Sequence, residues 1–157
     1  MPVSIRAIRL EDAEHVARLY AQSAAHLRSL GDTTDFRFTA EAYRRDGFGA
    51  NAAFSGIIAE IDGQPVGHLL YTLGYDTDSA SRFVFVIDLV VDEDVRSRGI
   101  GRTLMQHASA ICRDAGGAFL LWAVYEKNEL AIEFYRRLGA ERITGGQFMT
   151  LTVQAIP

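Results

Sequence analysis

The sequence predicts an α/β layered sheet, mixed in direction and mostly antiparallel. Three observations carry this expectation. Apolar, β-branched runs of strand length recur at 54–61, 65–75, 83–91 and 119–124. Amphipathic helical stretches separate only some of them. The block from Phe83 to Val124 reads strand, glycine turn, helix, strand, a right-handed crossover that makes its two strands parallel. The expected whole is a central sheet of six to seven strands flanked by about four helices, in one domain over 1–157. At 157 residues, with 48% apolar and 23% charged residues, the chain resembles an ordinary globular domain that needs no covalent staples.

In chain order, Val3, Ile5 and Ala7 alternate with Ser4 and Arg6, so residues 3–9 read as a short strand. Glu11 and Asp12 suit a first helical turn. Val16, Leu19, Tyr20, Ser23 and Leu27 then share one face, and Gly31 ends the helix. A polar loop runs to Phe38, and Thr39 caps a second helix reaching Phe48. Asp62-Gly63 is a hairpin signal between the strands at 54–61 and 65–75. A third strand, 83–91, completes a meander. The helix at about 99–115 aligns Ile100, Leu104, Ala108 and Ile111, and Gly116-Gly117 stops it. Residues 119–124 form a near-continuous apolar strand, covered on both faces. Asn128 caps a last helix that stops at Gly139. Residues 142–143 and 148–153 read as the final strands, with Gly145-Gly146 between them.

A net charge of −4 argues against a nucleic-acid partner, which favours a basic face. The single cysteine excludes an internal disulfide framework and a cysteine-based zinc centre, and suits a reducing, cytoplasmic setting. No signal core and no membrane-length apolar run is present, and no metal centre is expected.

The chemistry concentrates around Arg96-x-x-Gly99-x-Gly101, directly after the 83–91 strand. A strand, a glycine turn and a helix N-terminus together form an anion cradle of free N–H groups. It is not a phosphate-binding Walker loop, since no Gly-Lys-Ser/Thr follows. A dinucleotide fingerprint fails at Leu104. Within the strand, Asp88 interrupts an apolar run, so it is either a functional acid or a buried structural one. Glu126, past the end of the 119–124 strand, is a second acid, more simply a solvated one. His68 reads as a packed or edge histidine, and Cys112 as packing. Asp32, Asp35, Asp76 and Asp78 are loop acids, either merely solvated or together attracting a cation.

These residues resemble the GNAT family of acetyl-CoA-dependent N-acetyltransferases, whose motif is Arg/Gln-x-x-Gly-x-Gly/Ala between a strand and a helix. The family's second motif, an Asn opening a helix that ends Phe-Tyr-x-x-Leu-Gly-Ala/Phe, matches Asn128 and Phe134-Tyr135-Arg136-Arg137-Leu138-Gly139-Ala140. The resemblance covers nearly the whole chain and is weakest over residues 1–50. Asp46-Gly47-Phe48-Gly49, Ile58-Ala59-Glu60, Asp62 to Gly67 and Ile87 to Val91 are similar to the spermidine/spermine (diamine) acetyltransferase branch. Three positions depart from it. Ile87 stands where that branch carries an acid, Lys127 where it carries Trp, and Phe148 where it carries Trp. All three are near the expected acceptor side, so acetyl transfer carries over better than polyamine specificity.

The resemblance implies that acetyl-CoA is the co-substrate. Its pyrophosphate would rest on Ser97, Arg98, Gly99, Ile100, Gly101 and Arg102, helped by Arg96 or Arg98. Leu89, Val90 and Val91 would carry the thioester arm, with the Leu89 and Val91 amides polarising the carbonyl. Asn128 would contact the cofactor beside its capping role. Tyr135 would protonate the leaving thiolate. A lysine-like amine is neutral in roughly one molecule in a few thousand at pH 7, so a base helps, and Asp88 or a water is its candidate. The implied acceptor is the primary amine of a small cationic molecule, attacked directly in a ternary complex, and a homodimer is implied as well. Acetyltransferases for an amino acid, an aminoglycoside or a protein N-terminus stay open as alternatives, as does a CoA-binding module that transfers nothing or a nucleotide-binding domain.

Overall fold

The computed structural model describes residues 2–156; Met1 and Pro157, the ends of the expected 1–157 unit, lie outside the described residues. Five strands form one sheet in the order β1 (Val3–Ala7), β2 (Ser55–Ile61), β3 (Gln64–Asp76), β4 (Ser81–Val91), β5 (Gly117–Leu121). The first three pairings are antiparallel and the last is parallel. Four helices accompany them: α1 (Ala13–Ser29), α2 (Ala40–Asp46), α3 (Ile100–Asp114) and α4 (Glu129–Arg137). No helix among the described residues is long and apolar enough to cross a membrane.

Alternation along the strands gives the sheet two buried faces. On one, Ile57, Ala59, Leu69, Val84 and Val86 pack against Ile100, Leu104, Met105, Ala108 and Cys112 of α3, with Phe134, Tyr135 and Leu138 alongside. On the other, Ile58 and Leu70 pack against Ala13 and Val16 of α1 and Tyr43 of α2. The Thr39 side chain caps α2 by accepting from the Ala42 N–H (3.1 Å), as its sequence position predicts. Arg6, at the edge of β1, bridges Asp12 (2.8 Å) and Glu60 (2.7 Å), tying β1 to the start of α1 and to β2.

Two features of β4 place the site. First, Ile87 is a β-bulge: Leu70 pairs with Asp88, but Tyr71 already pairs with Val86. Val84 and Val86 face α3, and so do Leu89 and Val91; the extra residue shifts the alternation and turns Asp88 to the α1 face. Second, β4 pairs with β5 only from Arg82 to Phe85. Beyond that point β4 continues to Val91 while β5 ends at Leu121, and the two chains part.

The strand count is lower than expected. The strands predicted at 142–143 and 148–153 are absent, and only a short 3-10 turn forms at Val153–Ala155. Phe148 and Met149 are 87% and 94% exposed. An alternating apolar pattern supplies a strand's faces but not its ladder. Among the described residues no strand pairs with the outer edge of β5. β5 also starts at Gly117 and stops at Leu121, earlier than the predicted 119–124.

Candidate active site

The site is the gap where β4 and β5 separate. Its walls include Asp88 and Leu89 of β4, Trp122 and Tyr125 of the segment after β5, Asn128 at the start of α4, and Tyr135. Ser23 and Leu27 of α1 close it from the other face of the sheet. The parting of the strands therefore opens a passage between the two layers. A side chain from the α1 face, Asp88, and one from the α3–α4 face, Tyr135, line the same space. Another hollow, among Ala53, Ser55, Tyr71, Leu73 and Ile111, offers no carboxylate, imidazole or thiol.

Backbone groups are set by alternation. The Asp92 N–H donates to Val66 O of β3 (2.8 Å), so the amides of Leu89 and Val91 turn the opposite way, toward the gap. The Val91 carbonyl, on that same edge, accepts from Arg96 Nε (3.2 Å). Val90 instead faces β3 and is buried.

The glycine motif divides into two jobs. Gly99 precedes α3 with φ +81°, a left-handed conformation that costs side-chain-bearing residues energy, and nothing near it would clash with a Cβ. Ser97 shares the left-handed region, at φ +64°. No side chain caps α3, so its first N–H groups are left unpaired by the helix. Gly101 lies within the helix, where a Cβ would come to 3.1 Å from the Phe134 ring; it lets α4 pack close. Arg96, Arg98 and Arg102 are exposed, and Arg102 donates to Arg137 O at 3.4 Å.

Tyr135 is held between Trp122 and Phe134, with ring centroids 4.8 and 5.1 Å away. Burial, then the nearby charge of Asp88, pushes its hydroxyl up to about 12. The Asn128 side chain accepts from the Ala131 N–H (3.3 Å), so it is a helix cap at the rim of the gap.

Asp88 has a partner that sequence reasoning assigned to packing. His68 is fully buried, and its Nε2 lies 2.8 Å from Asp88 Oδ2. The two residues sit on one face of the β3–β4 pair at diagonal positions, since His68 pairs with Val90 and Asp88 with Leu70. Trp122 and Tyr125 were missed as well; the apolar strand context before them gave no sign that the chain would diverge there.

The remaining candidates lie elsewhere. Glu126 is exposed in the turn before α4, outside the gap lining. Cys112 is buried, its thiol donating to Phe119 O (3.3 Å). Asp32 accepts from the Thr34 N–H and hydroxyl, Asp35 pairs with Arg37, and Asp76 accepts from Ser79 in the β3–β4 hairpin. That hairpin lies at the far end of β4 from Asp88, so the four loop acids do not form one cluster with it.

The fold thus sets a glycine-started helix behind a split in a mixed sheet, with a partly buried tyrosine in the split. The chain belongs to the GNAT family: the profile described as "Acetyltransferase (GNAT) family" matches residues 21–140. It is 31% identical over 150 residues to a thialysine N-epsilon-acetyltransferase of Bos taurus, covering 90% of this chain and 86% of that one. It is 32% identical over 151 residues to a peptidyl-lysine N-acetyltransferase of Escherichia coli, covering 92% and 86%. In fold it matches an integron cassette protein from the mobile metagenome of V. cholerae, with a TM-score of 0.79 at 20% identity over 99% of this chain and 96% of that one. The chain is an N-acetyltransferase.

Proposed function

We propose that this enzyme transfers acetyl from acetyl-CoA directly to a primary amine of a small cationic acceptor, diamine- or polyamine-like, within a ternary complex. The observation that carries this reading is the meeting of Asp88 and Tyr135 in one gap from opposite layers of the fold. A base for the acceptor and an acid for the leaving group are then on separate sides of the transferred group. The acceptors named for two relatives, thialysine and peptidyl-lysine, each present a primary amine on an alkyl chain, which fits the same class.

Acetyl-CoA supplies the activated acetyl thioester. The gap-facing amides of Leu89 and Val91 suit its arm, and Val90 holds that edge against β3. Ser97 to Arg102, with the free N–H groups opening α3 and the positive charges of Arg96 and Arg98, suit its pyrophosphate. Asn128, at the rim, caps α4 and touches the cofactor. Tyr135, protonated throughout the neutral range, donates to the departing sulfur. Asp88 attracts the acceptor's ammonium and takes its proton, directly or through a water.

The same reading includes a cytoplasmic homodimer. Ile143, Phe148, Met149 and Leu151 are exposed apolar residues, and a second copy is the occupant that would cover them. A solution mass of two chains by light scattering supports this, and a mass of one chain contradicts it. Acceptor profiling tests the activity. Thiol release from acetyl-CoA is followed with diamines, lysine, amino acids lacking a side-chain amine, aminoglycosides and a peptide N-terminus. Fastest turnover with diamines is the expected result; turnover confined to one of the other classes, or none, overturns the acceptor assignment.

A further inference from the structure

His68, the partner of Asp88, has no part in the chemistry described so far. The inner end of the pair is closed. His68 is wholly buried in the middle of β3, and its Nδ1 has no hydrogen-bond partner among the described residues. Its outer end is open to the gap, since the Asp88 side chain is 21% exposed and lines it.

The orphaned Nδ1 decides how the pair works. A buried N–H without an acceptor is costly, and a buried lone pair left bare on a neutral ring is the lesser penalty. Any state with a proton on Nδ1 therefore carries an unpaired buried donor. This disfavours the neutral tautomer that carries its proton on Nδ1. The remaining neutral tautomer has the proton on Nε2, donated to Asp88 Oδ2. A ring locked in that state cannot accept a proton from Asp88, because its only vacant nitrogen is sealed.

We propose that His68 is a positioning residue: its Nε2–H pins Asp88 Oδ2, so that the carboxylate presents Oδ1 to the acceptor's ammonium in one fixed orientation. His68 is not a proton relay. The bulge at Ile87 is what makes the arrangement possible, because it turns Asp88 onto the face that His68 occupies. This inference rests on Asp88 serving the acceptor, as proposed above.

Two variants and one spectrum test it. His68→Phe fills the space without the donor, and His68→Gln returns an N–H near the place of Nε2. With acetyl-CoA and the best diamine, His68→Phe is expected to lose about tenfold in kcat/KM for the amine, with KM for acetyl-CoA within about twofold of wild type. His68→Gln is expected to recover most of that loss. Wild-type amine kinetics in His68→Phe would overturn the proposal, as would equal losses in the two variants or a loss confined to acetyl-CoA.

Long-range 1H–15N correlation spectra of the wild-type histidines need neither variant to be active. The chain has four histidines, and the His68 signal is the one removed by either substitution or, should neither fold, the one perturbed in Asp88→Asn. An Nε2–H tautomer at neutral pH is expected; an Nδ1–H tautomer or a doubly protonated ring would overturn the proposal. Wild-type protein that turns over no amine while showing the Nε2–H signal would instead remove the acceptor assignment, and the positioning role with it.

Discussion

Tyr135 and Asp88 show what a residue's surroundings add to its chemistry. A tyrosine at its ordinary pKa of about 10 is already a usable acid; burial and the Asp88 charge push this one up to about 12. Its proton is therefore retained throughout the neutral range. Tyr135→Phe is expected to lower kcat about 100-fold, with the amine KM changed by less than threefold, measured by thiol release. A loss in KM alone would assign Tyr135 to binding. Asp88 was legible in the sequence because an acid inside an apolar run demands a reason. His68 was not, because its contact with Asp88 runs diagonally across two strands whose register depends on the Ile87 bulge. No local signal marks a bulge in a run of β-branched residues.

At the scale of elements, the helix start after β4 and the clamp around β1 carry separate predictions. Gly99→Ala places a Cβ at φ +81° in open space, so its penalty is conformational, about 1 kcal/mol, read as a lowered urea midpoint. If the N–H groups there hold the cofactor, KM for acetyl-CoA also rises while the amine KM does not. Asp12→Ala leaves Arg6 with Glu60 as its one acid and removes the carboxylate that accepts from the Arg9 N–H (2.7 Å). It is expected to cost about 2 to 3 kcal/mol of stability, measured by equilibrium unfolding. Most elements were readable from period and caps: Thr39, Gly31, Asp62-Gly63, Gly99 and Asn128 each mark a boundary within a residue or two. The two C-terminal strands were not. A strand is defined by its neighbour, and residues 142–143 and 148–153 have none among those described.

For the whole molecule, the acid and alkaline limits of stability come from different groups. Burial alone would raise Asp12 and Asp92, but hydrogen bonds from Arg6 and the Arg9 N–H, and from Arg18, the Asp94 N–H and Gln22, hold them below the usual carboxylate range. Their contribution is present above about pH 4 and is lost as pH falls through their folded values, because the unfolded chain then binds more protons. Tyr43 and Tyr135 are raised, chiefly by burial. Above about pH 10 the unfolded chain releases those protons first, so stability falls again as pH rises toward 12. Urea midpoints measured from pH 3 to 11 should show a plateau between those limits; a midpoint that falls steadily from pH 5 to 9 would contradict these assignments. The gap itself is a whole-molecule property. Its residues come from α1, β4, the segment after β5 and α4, and only the end of the β4–β5 pairing at Phe85–Leu121 brings them together.

The central claim is that Asp88, at the parting of β4 and β5, serves the acceptor amine and not the cofactor. The Michaelis parameters of Asp88→Asn for both substrates test it most directly. The expected result is a loss of about 100-fold in kcat/KM for a diamine with KM for acetyl-CoA within about twofold of wild type. Amine kinetics equal to wild type, or a loss confined to acetyl-CoA, would contradict it.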